Sequence, residues 1–106
     1  MEQREYVRRV LDAYRATPGT AGLVRRADRI FAIQLHDRAV PLATVENALI
    51  LAAARRSARP ADAAPLGTIR SLIYFAPVIE EVLQLQVGQE YFQHLRRKLQ
   101  RVGSAR

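Results

Sequence analysis

The sequence predicts an all-α fold, a single compact domain of five or six helices with a helix-turn-helix-like pair in its middle. Three observations predict it. Apolar residues recur at three- and four-residue spacing in one segment after another, the signature of amphipathic helices. No stretch alternates apolar and polar residues over the length of a strand. The chain has 106 residues, 49% of them hydrophobic, enough for one modest core without metal or disulfide support.

The first helix is expected over 2–16, where Tyr6, Val7, Val10, Leu11 and Tyr14 form one stripe while Arg4, Arg8, Asp12 and Arg15 face water. Thr17-Pro18-Gly19-Thr20 ends it, since the residue before proline is pushed out of the helical region and glycine permits a turn. The second runs from about Leu23 to Arg38, with Leu23, Ala27, Ile30, Phe31 and Leu35 inward. A short turn, Arg38-Ala39-Val40-Pro41, leads into a third helix reaching about Arg56, proline being favoured at a first helical position. Its middle, Ala48 to Ala54, is apolar all round, as in a helix that is central or covered by a partner. Arg55, Arg56 and Arg59 follow, where cations oppose the negative end of the helix dipole.

Residues 57–67 carry two prolines, a glycine and several alanines and read as an irregular connector. Thr68 then caps a short helix through Ile69, Leu72 and Ile73. Pro77 kinks or restarts it as a segment to Gln86 with Val78, Val82 and Leu83 inward, and Gly88 is the stop. The last helix, about Gln89 to Val102, sets Tyr91, Leu95, Leu99 and Val102 on one stripe. The domain thus spans 1–102, with 103–106 a disordered basic tail.

Composition narrows the function. With no cysteine, disulfide frameworks, thiolate zinc sites and cysteine nucleophiles are excluded. The two histidines, His36 and His94, fall in different helices without metal-ligand spacing, and adjacent Glu80 and Glu81 point about 100 degrees apart on a helix. No glycine-rich phosphate loop is present. The expectation is a protein that is not an enzyme and uses no cofactor or metal. The longest apolar run, Ala48 to Ala54, is too short for a membrane span and the first ten residues hold no signal-peptide core, so a cytoplasmic location is expected.

Charge supplies the positive signal. The chain carries 17 basic and 10 acidic residues, net +7, and all the cations but Lys98 are arginine. Arginine suits bidentate contact with phosphate, although a GC-rich coding sequence also enriches arginine together with alanine. Residues 89–106 alone hold a net +4. A basic helix of this kind neutralises phosphates with salt-dependent, sequence-independent affinity. Arg96, Arg97, Lys98 and Arg101 are the candidate contacts, and Arg25, Arg26 and Arg29 extend the patch if the helices adjoin. The reading with no nucleic acid makes these a solvated face.

The junction Leu35-His36-Asp37-Arg38-Ala39-Val40-Pro41-Leu42-Ala43-Thr44-Val45-Glu46-Asn47-Ala48-Leu49 resembles helix-turn-helix DNA-binding domains. Ala39, Val40, Thr44, Val45 and Leu49 match the small residue and valine of the turn and the Thr-Val pair and leucine that pack inward. Ala39 stands where that turn often uses glycine to reach positive φ. The resemblance implies that Leu42, Ala43, Glu46 and Asn47 are exposed, with Glu46 and Asn47 facing bases. The wider order of helices through Ile69-Arg70-Ser71-Leu72-Ile73-Tyr74-Phe75-Ala76-Pro77-Val78-Ile79-Glu80-Glu81-Val82-Leu83 is similar to small helical proteins of bacterial mobile elements. It also resembles the C-terminal helical domain of DnaD-type replication proteins, with Tyr74, Val78 and Leu83 in its closing motif. These resemblances imply a nucleic-acid partner, DNA before RNA, and a replication or mobile-element accessory role. The alternative expectation is a helical interaction or assembly domain, a homodimer or a binder of another helical protein, meeting its partner through Leu49, Ile50, Leu51 and Tyr74.

Overall fold

A computed structural model describes the backbone of residues 1–104, with the side chains of all these except residues 87, 90, 92 and 100–104. The fold is all-α: α1 (Gln3–Ala16), α2 (Arg26–Asp37), α3 (Leu42–Ser57), a single 3-10 turn (Leu72–Phe75) and α4 (Ala76–Ser104). The predicted stripe of α1 faces inward, with Tyr6, Val10, Leu11 and Tyr14 buried. Thr17 closes the helix, its amide donating to the Tyr14 carbonyl and its hydroxyl to that of Ala13.

α2 begins three residues later than its apolar pattern predicts and is rotated relative to it. Leu23 precedes the helix and is exposed, Ile30 faces water, and the buried residues are Asp28, Ala32 and Leu35. The cause is the Asp28 carboxylate. It accepts the backbone N–H of Arg25 at 2.8 Å and that of Leu72 at 2.9 Å, so two orphan donors turn this face inward. One buried side chain thereby joins the start of α2 to the 3-10 turn. Nearby, Gly19, at φ +92, accepts from the Ile69 amide at 2.8 Å, and Ala21 donates to the Ile69 carbonyl at 2.9 Å.

α3 is covered by α1 on one side and α4 on another, burying Thr44, Val45, Ala48, Leu49 and Ala52. Its all-apolar middle is thus divided: Leu49 lies in the chain's own core and is closed to any partner, Leu51 is half-buried, and Ile50 is 67% exposed. Arg55 and Arg56 do more than oppose the helix dipole. Arg55 makes a bidentate pair with Glu81 at 2.6 and 2.8 Å. Arg56 donates to the Gly67 carbonyl at 2.9 Å and lies over the Tyr74 ring, which fastens the connector.

The end of the chain departs most from expectation. Ser71, not Thr68, caps the helical turn, accepting from the Ile73 amide. The 3-10 turn ends at Phe75 and α4 starts at Ala76, so the helix restarts at the expected place, with Pro77 as the second residue of α4, where its missing N–H has no intrahelical partner to lose. Gly88 does not stop α4. Glycine costs about 1 kcal/mol in a helix interior relative to alanine, and here no proline or turn residue follows to convert that cost into an end. The helix continues through Gly103 and Ser104, while Ala105 and Arg106 of the expected tail lie outside the described residues.

Among the described residues, the first part of α4 joins the core, through Ile79 with Val78, Val82 and Leu83 packed against it. The stripe predicted to face inward is exposed: Tyr91 is 59% accessible and Leu99 73%. Val102's side chain lies outside the described residues. The core is complete without this stripe, because Tyr14, Leu35, Val45, Leu72 and Phe75 already fill the space among α1, α2, α3 and the turn. The distal half of α4 therefore projects, and the radius of gyration is 17.8 Å, against about 13 Å for a compact chain of this length.

Candidate nucleic-acid interface

The acidic side chains are largely engaged within the fold. Glu5 pairs with Arg9 at 3.1 Å and Asp12 with Arg15 at 2.5 Å. Asp37 meets His36 and Gln3. Glu80 pairs with Arg38 at 2.6 Å, Glu81 with Arg55, and Asp28 holds two backbone amides. The guanidinium hydrogen bonds hold Glu80 and Glu81 below the usual carboxylate range, and reciprocally raise Arg38 and Arg55. Among the described residues, Arg4, Arg8, Arg25, Arg26, Arg29, Arg96, Arg97 and Lys98 have no carboxylate within ion-pair distance.

Three of these converge on a groove of about 460 Å³ between α1 and α2. Arg4, Arg8 and Arg15 come from α1 at helical spacing and Arg29 from the first turn of α2, over a floor of Val7, Leu11 and Ile33. No carboxylate lines it. The i, i+4 placement of Arg4 and Arg8 is visible in the sequence. Their meeting with Arg29 depends on how α1 packs against α2, and sequence reasoning left both as solvated.

The expected basic residues do not form one patch. Arg25, Arg26 and Arg29 sit at the start of α2, which Asp28 fixes to the 3-10 turn at the foot of α4. Arg96, Arg97 and Lys98 are exposed on the far part of α4. Twenty residues separate Ala76 from Arg96, about 30 Å of helix at 1.5 Å per residue. Arg101's side chain lies outside the described residues.

Residues 38–41 join α2 to α3. Ala39 adopts φ +58, the left-handed conformation in which glycine is common. Val40, Thr44, Val45 and Leu49 are buried, and the Val40 carbonyl accepts the Tyr6 hydroxyl at 2.8 Å. Ala43, Glu46 and Asn47 are exposed and Leu42 is half-buried. The outward stripe of Ala43, Glu46, Asn47 and Ile50 contains no cation. Thr44, at the start of α3, donates to Gln86 of α4 at 2.6 Å. Of the closing-motif residues, Tyr74 is 49% exposed with its ring edge-on to Phe75, and Val78 and Leu83 are half-buried.

No family model, no curated protein and no solved structure matches the chain. Among the described residues, no group of three or more His, Asp or Glu side chains is placed to hold a metal ion. His36 packs edge-on to Tyr6 with ring centroids 5.3 Å apart. No helix of the described residues is long and apolar enough to cross a membrane.

Proposed function

We propose that this chain is a non-enzymatic, cytoplasmic module that binds the phosphate backbone of nucleic acid, DNA in preference to RNA, as an accessory of replication or of a mobile element. The observation that carries the reading is the set of arginines without carboxylate partners, above all Arg4, Arg8 and Arg29 around the α1–α2 groove. From Arg4 to Arg15, α1 rises about 16 Å, a length over which one DNA strand presents about five phosphates. Arginine's planar fork suits those oxygens. The outward face of α3, with Glu46 and no cation, contributes little to phosphate affinity, so binding is expected to be largely indifferent to sequence.

The test is fluorescence anisotropy with a labelled random duplex and its single strand, titrated from about 50 to 300 mM salt. The wild-type chain is expected to bind the duplex with an affinity that falls steeply with salt. The triple substitution Arg4→Ala, Arg8→Ala, Arg29→Ala should flatten the log–log slope by up to about 3, near 0.9 for each phosphate no longer neutralised. Absence of binding at the lowest salt would sink the reading.

A second reading, a helical interaction domain with no nucleic-acid role, draws on the exposed apolar side chains of Ile50 and Tyr74. It assigns the free arginines to solubility.

A further inference from the structure

We infer that the projecting half of α4 is a self-association surface, on which a second copy of this chain packs antiparallel. The starting observation is an apolar stripe that the core does not use. Leu85 is 58% exposed, Leu95 36% and Leu99 73%, all on a helix continuous to Ser104. Within a soluble domain a row of exposed leucines at one helix face marks a surface that another molecule covers. The spacing is specific. Positions 85, 88, 92, 95, 99 and 102 alternate steps of three and four, the heptad pattern of a two-helix seam, and in sequence they read Leu, Gly, Phe, Leu, Leu, Val.

Gly88 selects both the occupant and its direction. A side chain there would meet nothing within 4 Å, so the chain itself leaves this seam position open. In a parallel pair each glycine would face the other glycine across the seam, leaving a void that core-like packing does not tolerate. In an antiparallel pair the seam positions meet as 85 with 102, 88 with 99 and 92 with 95. Leu99, the most exposed leucine of the stripe, then fills the space over Gly88 of the other copy, and the same contact recurs by symmetry. One sequence supplies both the projection and the recess, which an isologous two-fold interface requires.

Charge favours the same arrangement. Arg96 and Lys98 occupy the positions flanking the seam. Antiparallel pairing sets Arg96 beside Gln89 and Lys98 beside Tyr91 of the other copy, with no like charges opposed. Parallel pairing would lay the Arg96-Arg97-Lys98 segments side by side, while the antiparallel pair offsets them by about 10 Å along the seam and opposes the two helix dipoles.

The experiment is sedimentation equilibrium from micromolar to sub-millimolar protein, supported by oxidative cross-linking, which the cysteine-free chain allows. The mass is expected to rise from 12.0 kDa to twice that value with concentration. Leu95→Asp and Leu99→Asp, each on the exposed stripe and outside the core, should hold the chain monomeric at every concentration while leaving its thermal midpoint at low concentration unchanged. An equal mixture of Gly88→Cys and Leu99→Cys should form a disulfide-linked pair of one variant with the other. A chain that remains at the monomer mass at the highest concentration overturns the proposal, even if it then binds anionic vesicles or an acidic helical peptide. So does a dimer that survives both aspartates. Cross-linking of Leu99→Cys to itself, with none between the two variants, overturns the antiparallel direction.

Discussion

Tyr6 and Tyr14 face the same core from α1, eight residues apart, with opposite fates for their hydroxyls. Tyr6 donates to the Val40 carbonyl and so ties α1 to the turn before α3, and burial pushes its phenol up to about 12. The Tyr14 hydroxyl is buried with no hydrogen-bond partner among the described residues. Burial raises its pKa, Asp28 reinforces the shift and Arg25 opposes it. Tyr6→Phe should therefore cost about 1 kcal/mol, while Tyr14→Phe should be neutral or stabilising, since it removes an unsatisfied polar group. Thermal unfolding of the two variants checks the contrast. The Tyr6 shift also has a sign. The folded state resists losing this proton, so stability is intact below pH 10 and falls as pH rises through about 12, a dependence that Tyr6→Phe should weaken. Ala39 adds a second residue-scale expectation. An alanine at φ +58 is strained by roughly 1–2 kcal/mol, and glycine relieves this while gaining freedom in the unfolded chain. Ala39→Gly should stabilise the fold by a net of about 1 kcal/mol or less, read as a higher melting temperature.

At the scale of elements, α4 is fixed to the body by two charged fasteners at its foot, Glu80 with Arg38 and Glu81 with Arg55. Both carboxylates are held below their ordinary range. Their contribution is thus present above the unfolded carboxylate pKa of about 4.3 and is lost as pH falls through the lower folded values. All four side chains are 41–52% exposed, so water and salt screen them and the effect is modest. Acid unfolding should begin at higher pH in high salt, and Glu81→Gln should shrink that salt sensitivity. Denaturation by acid at two ionic strengths reads both. These elements also show what could be read in the sequence. The ends of α1 were legible because its stripe and the Thr17-Pro18-Gly19 stop are both local. The inner face of α3 was legible from Thr44, Val45 and Leu49. The rotation of α2 was not, because the second partner of Asp28 is the Leu72 amide, 44 residues away. The length of α4 was not, because Gly88 lowers helix propensity as a stop would, and only the absence of a free core face tells the two apart. For the candidate site the charge was legible and its grouping was not. Arg29 meets Arg4 and Arg8 through packing, while the α2 cations and those of distal α4 are held apart by rigid helix.

For the molecule as a whole, that separation makes a quantitative statement about binding. Arg25, Arg26 and Arg29 at the start of α2 and the distal set of Arg96, Arg97 and Lys98 are separated by about 30 Å of α4, so losses in binding free energy from the two triple-alanine variants should add within about 0.5 kcal/mol. Anisotropy titrations of each variant and of their combination test this. A strongly non-additive result would mean that both sets hold the same short stretch of backbone. The shape itself has a practical consequence. The Cα atoms extend 60 × 41 × 16 Å, a thin plate with a rod at one edge, and such a body meets more hydrodynamic drag than a sphere of equal mass. It will leave a sizing column early and sediment slowly even as a single copy. An elution volume matching a larger globular standard is therefore the expected behaviour of the monomer, and only a measurement that weighs the particle without reference to its friction can count the chains in it.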